Sequence, residues 1–350
     1  MPSSIWICAA FGLVLSMGLT YALRFAARRF GWFDFPNPRS AHSQPTPRIG
    51  GVAIIVTFLT TALLQPGGYW QSVELVALLS ILAIAILGFI DDVWGVSMLA
   101  RLAAQTLVAG SLVIYLRASG ASPLLAAGGF YGAAATLLAF ATMIWVINAY
   151  NFMDGIDGLA TGQTVIASVA VALAAFTQGG GLIGCSMLLL ASASLGFLPF
   201  NFPRASIFMG DVGSTAIGMV FVTLPLLPSS RGVPAPVWLL AISMFLLDAS
   251  VTLLRRALNG EDIFQSHRSH FYQRPLALAI GHAPICAVSW AAMLVVGGCA
   301  VAWPEAAGWV RLLLICTPIG LFTALAIWVT LMERRRSSKP ATLQTVESRG

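Results

Sequence analysis

Five of the chain's 13 acidic residues fall in three short strings: Asp91 and Asp92 in ILGFIDDVWGVS, Asp154 and Asp157 in NAYNFMDGIDGLATG, and Asp211 in FMGDVGST. Each string adjoins an apolar run of membrane-span length, where a carboxylate is expensive to hold and marks a site rather than a surface. In the second string the polar residues Asn148, Asn151, Asp154 and Asp157 recur at every third position. A step of three rotates a helix by about 300°, so neighbours in the series share a face while its two ends point apart. Gly155 and Gly158 can bend the chain and relieve that conflict. The string reads as a helix end opening into a loop that turns amide and carboxylate oxygens, with glycine backbone, toward one pocket. The bland alternative is an ordinary Asn/Asp/Gly connection between spans. Two further acidic strings returning to the same face weaken it.

Adjacent carboxylates such as Asp91 and Asp92 repel each other unless a cation shares them. They need Mg²⁺ or a basic residue as partner, or else form a plain acidic turn at a helix end. Gly210 and Gly213 let backbone approach a ligand beside Asp211, which would equally serve as a helix cap. Phe208 is placed either to stack on a base or to anchor at the membrane boundary. Basic residues come from two segments, Arg39, His42 and Arg48 in PNPRSAHSQPTPRIGG and His267, Arg268, His270 and Arg274 in EDIFQSHRSHFYQR. Orientation in the membrane explains arginines there but not histidines. Oxygen ligands without a cysteine cluster, inside a cationic collar, describe a site for Mg²⁺, with Mn²⁺ as the alternative ion, and a polyphosphate. Asp248 is either a supporting partner or a polar contact between helices, and His282 is structural.

These residues must be positioned by membrane helices. The chain is 58% hydrophobic and 9% charged over 350 residues, whereas a soluble domain is about one quarter charged. A span takes about 20 apolar residues, and eleven fit, at 4–24, 50–66, 73–90, 98–117, 129–148, 160–177, 182–200, 213–228, 236–256, 276–302 and 309–332. The fold class is therefore all-α and polytopic, one integral membrane catalytic domain over 1–332 followed by a basic, disordered tail at 333–350. No basic region precedes the first span, which reads as uncleaved with its N-terminus outside. That orientation puts 16 of the 19 Lys and Arg residues, Arg101 among them, on one face and only Arg117, Arg231 and Arg311 on the other. The basic face, with the site and the C-terminus, is then cytoplasmic. The spacing agrees: Asp91 to Asp154 is 63 residues, Asp154 to Asp211 is 57, and Asp211 to Arg268 is 57, each an out-and-back pair of helices. No soluble basic domain exists to bind nucleic acid. The five cysteines lie in apolar runs as packing residues.

DDVWG, NAYNFMDGIDGLA, FMGDVGS and the late histidine–arginine loop, in this order, resemble the polyprenyl-phosphate N-acetylhexosamine-1-phosphate transferases over nearly the whole chain to about residue 332. The resemblance implies transfer of an amino-sugar 1-phosphate from a UDP-sugar to undecaprenyl phosphate, releasing UMP, in a bacterial inner membrane. It implies Mg²⁺ held by Asn151 and Asp211. Asp91 and Asp92 would face the lipid phosphate, Phe208, Gly155 and Asp157 the uracil, and His270 and Arg268 the sugar pyrophosphate. The candidate catalytic set is Asp91, Asp92 and His270; Asn148, Asp154, Arg39, His42, Arg48, Arg101 and His267 complete the substrate-binding set. HRSHFYQR stands where the peptidoglycan phospho-MurNAc-pentapeptide transferase has three consecutive histidines, which argues against that substrate. Lysines common after the DD motif are absent, and Arg101 is the candidate replacement. RSAHSQPTPRIGG looks closest to the branch that initiates O-antigen and other surface polysaccharides, a lipopolysaccharide-type role. The oligomeric state is open, a homodimer included. A secondary transporter is the alternative class, but its acids should lie near mid-span, and these sit at span ends.

Overall fold

A computed structural model describes residues 3–36, 44–65, 71–228, 232–263, 265 and 267–337. Arg39, His42 and the tail beyond 337 lie outside them. Twelve helices form the described chain: α1 (Ser3–Phe30), α2 (Gly51–Leu63), α3 (Ser72–Trp94), α4 (Met98–Ala118), the single turn α5 (Pro123–Ala126), α6 (Gly129–Phe152), α7 (Leu159–Thr177), α8 (Gly181–Asn201), α9 (Gly210–Thr223), α10 (Ala235–Leu258), α11 (His282–Ala302) and α12 (Trp309–Ser337). A two-stranded ribbon, β1 (Phe33–Asp34) with β2 (Thr46–Pro47), is antiparallel with Phe33 opposite Pro47.

All eleven anticipated apolar segments are helical, yet among the described residues only nine helices are long and apolar enough to cross a membrane. The two short ones are α2, with 13 residues, and α9, with 14 before a 3-10 turn at Leu224–Leu226. The shortness of α9 follows from burial. Every residue of α9 is buried, enclosed by α2, α3 and α6, so protein rather than lipid surrounds it and the bilayer does not set its length.

Small residues permit that enclosure. A side chain at Gly88 of α3 would strike the Asp211 carbonyl, one at Gly51 of α2 would strike the Gly213 backbone, and one at Gly218 would strike α6 at Ile147. The approach at Gly88 has a chemical consequence: one turn further along α3, Asp92 reaches the first turn of α9. A second group, α10, α11 and α12, packs together, with α10 and α11 also against α7. Chain reversals bring the C-terminal ends of α3, α6 and α10 and the N-terminal ends of α4, α7 and α9 to one end of the bundle, where Arg48 meets Asp211, Asp157 meets Ala205 and Tyr272 meets Phe152.

Candidate active site

Helix α9 has no side-chain cap of its own, so its first amides need acceptors from elsewhere. Asp92 provides them: its Oδ1 accepts from the Asp211 amide at 2.9 Å and its Oδ2 from the Val212 amide at 3.0 Å. Its side chain is fully enclosed, and Arg48 Nε lies 2.7 Å from Oδ1. Asp92 is thus a cap supplied by a neighbouring helix, and a negative group there also suits the helix dipole.

Asp91 faces the other way. Its Oδ1 accepts from the Val96 amide at 2.6 Å and its Oδ2 from Arg101 Nη1 at 2.6 Å. The same Arg101 nitrogen donates to Asp211 Oδ2 at 2.6 Å, and Arg48 Nη2 donates to Asp211 Oδ1 at 2.8 Å. Two arginines therefore straddle three carboxylates, each bridging α3 to α9. Both guanidinium side chains keep about a third of their surface exposed, 30% for Arg48 and 32% for Arg101. The cluster carries one net negative charge by formal count, two arginines against three carboxylates.

Arg48 is aimed by its loop. The Arg48 amide donates to the Trp32 carbonyl, and the Gly50 and Gly51 amides donate to the carbonyls of Phe208 and Met209. Between them buried Ile49 holds φ at 103°, a strained value for a β-branched residue that only surrounding structure can impose. Burial opposes the Arg48 charge, but Asp92, Asp211, Asp34 and Asp91 outweigh it and raise its pKa above the ordinary arginine value.

The asparagine–aspartate string divides. Asn148 turns sideways, its Nδ2 donating to Gln105 Oε1 and the Ile144 carbonyl, both at 2.8 Å, and so ties α6 to α4. Asn151 Nδ2 donates to Ser214 Oγ at 3.3 Å on α9. Asp157 Oδ2 accepts from the Ala205 amide at 2.9 Å, and its Oδ1 lies 3.3 Å from His282 Nδ1, so His282 supports the loop rather than merely filling space. Within this string Asp154 is the residue whose carboxylate is engaged by no hydrogen bond or ion pair among the described residues. Burial, with Asp211 and Asp92 nearby, pushes its pKa well above the ordinary carboxylate range. Gly155 lies close under the late loop: a side chain there would displace the Tyr272 hydroxyl and the Gln273 amide.

The late loop is organised by Asp248, which the sequence left between two roles. Asp248 Oδ1 accepts from the Phe271 amide at 3.0 Å and Thr252 Oγ1 at 3.0 Å and lies 3.2 Å from His270 Nδ1; Oδ2 accepts from the Tyr272 amide at 2.9 Å. His270 is buried and stacks against Phe152. His267 lies beside it, with ring centroids 4.9 Å apart. The sequence signal for Asp248 was its position, an ionisable residue inside an apolar helix. Arg274 pairs with Glu333 of α12, and Arg255 Nη2 donates to the Ser269 carbonyl at 2.7 Å.

The structure therefore brings Asp91, Asp92, Asp211, Arg48 and Arg101 into one network, with Asn151 linked to α9 through Ser214. It seats Asp157, Gly155, His267 and His270 in the adjoining loops and turns Asn148 away toward α4. Phe208 is partly exposed, its backbone paired with the strand leading to Arg48.

Residues 74–228 match the family model described as glycosyl transferase family 4, a stretch that holds all three acidic strings. The decaprenyl-phosphate N-acetylglucosaminephosphotransferase of Mycobacterium tuberculosis is 30% identical over 306 residues, covering 77% of this chain and 74% of that protein. A probable undecaprenyl-phosphate N-acetylglucosaminyl 1-phosphate transferase of Bacillus subtilis is 31% identical over 271 residues, covering 75% of each. The phospho-N-acetylmuramoyl-pentapeptide-transferase of Staphylococcus saprophyticus is 30% identical over 201 residues, covering 52% of this chain and 62% of that protein.

Proposed function

The chain belongs to glycosyl transferase family 4, and from that membership we propose that it moves an N-acetylated amino-sugar 1-phosphate from a UDP-sugar to undecaprenyl phosphate, releasing UMP. In its general form the activity is hexosamine-1-phosphate transfer to a polyprenyl phosphate by a multi-pass membrane protein. The finer reading makes it the first membrane step of O-antigen or another surface polysaccharide, at the cytoplasmic face of a bacterial inner membrane. The observation that carries the reading is the pair of partly exposed arginines bridging three carboxylates beside the unengaged Asp154. This is a site that holds negative charge at rest and still presents cationic groups to a phosphate.

The donor set fits Mg²⁺: Asp211, the Asn151 carbonyl oxygen and Asp154 are hard oxygen ligands, with no thiolate among them, and such an ion takes one or two carboxylates and completes its shell with phosphate and water. When bound it would neutralise charge on the donor diphosphate. The rest belongs to the chain. A phosphate monoester has its second pKa near 6, so the acceptor is largely dianionic at cytosolic pH and needs little base. One of its oxygens bonds to the β-phosphorus of the donor, the bond from that phosphorus to the bridging oxygen breaks, and the oxygen leaves with UMP. Arg48 and Arg101 exchange carboxylate for phosphate oxygens and align the reacting groups, where most acceleration of phosphoryl transfer arises. Asp92, with both oxygens committed to α9 amides, keeps Asp211 in place. Were a covalent aspartyl phosphate formed instead, Asp91 is the less enclosed carboxylate of the pair.

Purified protein with undecaprenyl phosphate and a panel of UDP-amino sugars tests the reading. UMP should appear only when the lipid is present, cease with EDTA and return with Mg²⁺. Absence of UMP with every donor would overturn it.

A further inference from the structure

Tyr272 sits where the two loops meet and makes two bonds in opposite directions. Its amide donates to Asp248 Oδ2 at 2.9 Å, and its hydroxyl donates to the Phe152 carbonyl at 2.9 Å. Phe152 ends α6 and lies between Asn151 and Asp154. The hydroxyl also abuts Gly155, where any side chain would collide with it. We propose that Asp248 and Tyr272 are positioning residues, a hydrogen-bonded strut from the interior of α10 that sets the Asn151–Asp157 segment for the reaction.

Packing alone does not fix Tyr272. A pocket of about 340 Å³, partly open to the surroundings, adjoins it, lined by Met153, Asp248, Phe271, Tyr272, Met293 and Phe322 among others. A ring beside such a space has room to shift once its bonds are gone. Asp248 in turn is locked by the Phe271 amide and Thr252 as well as Tyr272, so the strut starts from a carboxylate with no freedom of its own. The phenol is a dependable donor: burial, with Asp248 and Asp154 nearby, pushes its pKa well above the ordinary tyrosine value. The Phe152 carbonyl is among the last of α6, which have no partner within their own helix. The strut therefore satisfies a helix end and orients the segment beyond it with one bond.

The inference rests on the proposed function, and Tyr272→Phe tests it, since that change removes one oxygen and keeps the ring. Full-length protein in detergent should unfold at a temperature within a few degrees of wild type when Mg²⁺ is absent. The Mg²⁺ concentration giving half of the thermal upshift should rise by roughly tenfold, about 1.4 kcal/mol, and the concentration for half-maximal UMP release should rise with it. Asp248→Asn should show the same shift if it folds. A wild type that turns over while Tyr272→Phe matches it in both Mg²⁺ titrations overturns the strut alone. So does a variant less stable without Mg²⁺ but unchanged in its Mg²⁺ midpoint, since that is a structural role only. A wild type with neither turnover nor an Mg²⁺ shift overturns the reading of the site as well.

Discussion

The carboxylate cluster and the late loop are both rich in charge, and they use it in opposite ways. In the cluster, Arg48 and Arg101 reach across helices to Asp91, Asp92 and Asp211 while keeping a third of their side-chain surface open. In the late loop, Arg274 is held by Glu333 and Thr330, Arg256 by Glu261 and the Asp262 carbonyl, and Arg255 by the Ser269 carbonyl. Arg255 and Arg274 also flank the Phe271 ring, at 5.2 and 4.7 Å from its centroid. Charge in the first region stays exchangeable with a ligand; in the second it fastens a loop to α10 and α12. A count of basic residues does not separate these uses. What separates them is whether the arginine is shared between carboxylates of two helices or ties the loop to its support.

The sharpest break of this contrast is Asp211→Asn. It removes a full charge that both arginines share, and turnover should fall at least about 100-fold, the scale for losing a group that meets transition-state charge, while the protein still folds in the membrane. Activity within tenfold of wild type would make the cluster a structural network like the loop.

The next largest effect should divide Asp91 from Asp92. Asp92→Asn takes away a buried acceptor of two amides and leaves Arg48 short of a partner, so it should lose roughly 2–3 kcal/mol of stability, the scale of hydrogen bonds to a charged group. Asp91→Asn should lose less stability and mainly turnover. A reversed order in thermal unfolding would show that capping of α9 is not what Asp92 does.

A smaller effect probes the other region. The Arg274–Glu333 pair is partly exposed, so a double-mutant cycle with alanine should give a coupling of about 1 kcal/mol or less, with donor KM unchanged. A large change in donor KM would move Arg274 from fastening to recognition.

A further effect concerns pH. Burial, then the neighbouring His270 and Arg256, hold the His267 pKa at about 4, below its ordinary 6.5. The unfolded chain takes up a proton between pH 6.5 and 4 that the folded chain refuses, so stability is whole above pH 6.5 and declines as pH falls toward 4. His267→Gln should lack this component, and its thermal stability relative to wild type should improve between pH 6.5 and 4. A constant difference across that range would rule the component out.

The helices were legible because about 20 apolar residues in a row have few alternatives, and the 63- and 57-residue spacings brought the acidic strings to one end of the bundle. Arg101 was legible only through the resemblance, as the residue standing in for the lysines common after the DD motif. The division of labour between Asp91 and Asp92 was not, because it depends on α3 crossing α9 at Gly88, and a sequence does not state which helices touch. Asn148 fits the three-residue pattern yet turns toward Gln105, since its helix continues to Phe152 and rotates it away. Tyr272, and the choice between the two roles open to Asp248, were hidden for the same reason: their meaning lies in a loop folding back onto a helix more than twenty residues earlier in the chain.

Because Arg48 and Arg101 already have carboxylate partners, a free anion such as sulfate or inorganic phosphate gains little by docking there. It must break charge-assisted bonds to form others of the same kind, and it enters a cluster that is itself negative. On the proposed reading, a diphosphate arriving with its own dication would meet the opposite situation, since the carboxylates would hold the cation while the arginines turn to the phosphates. The unliganded arrangement thus discriminates by exchange, disfavouring small free anions without any steric barrier.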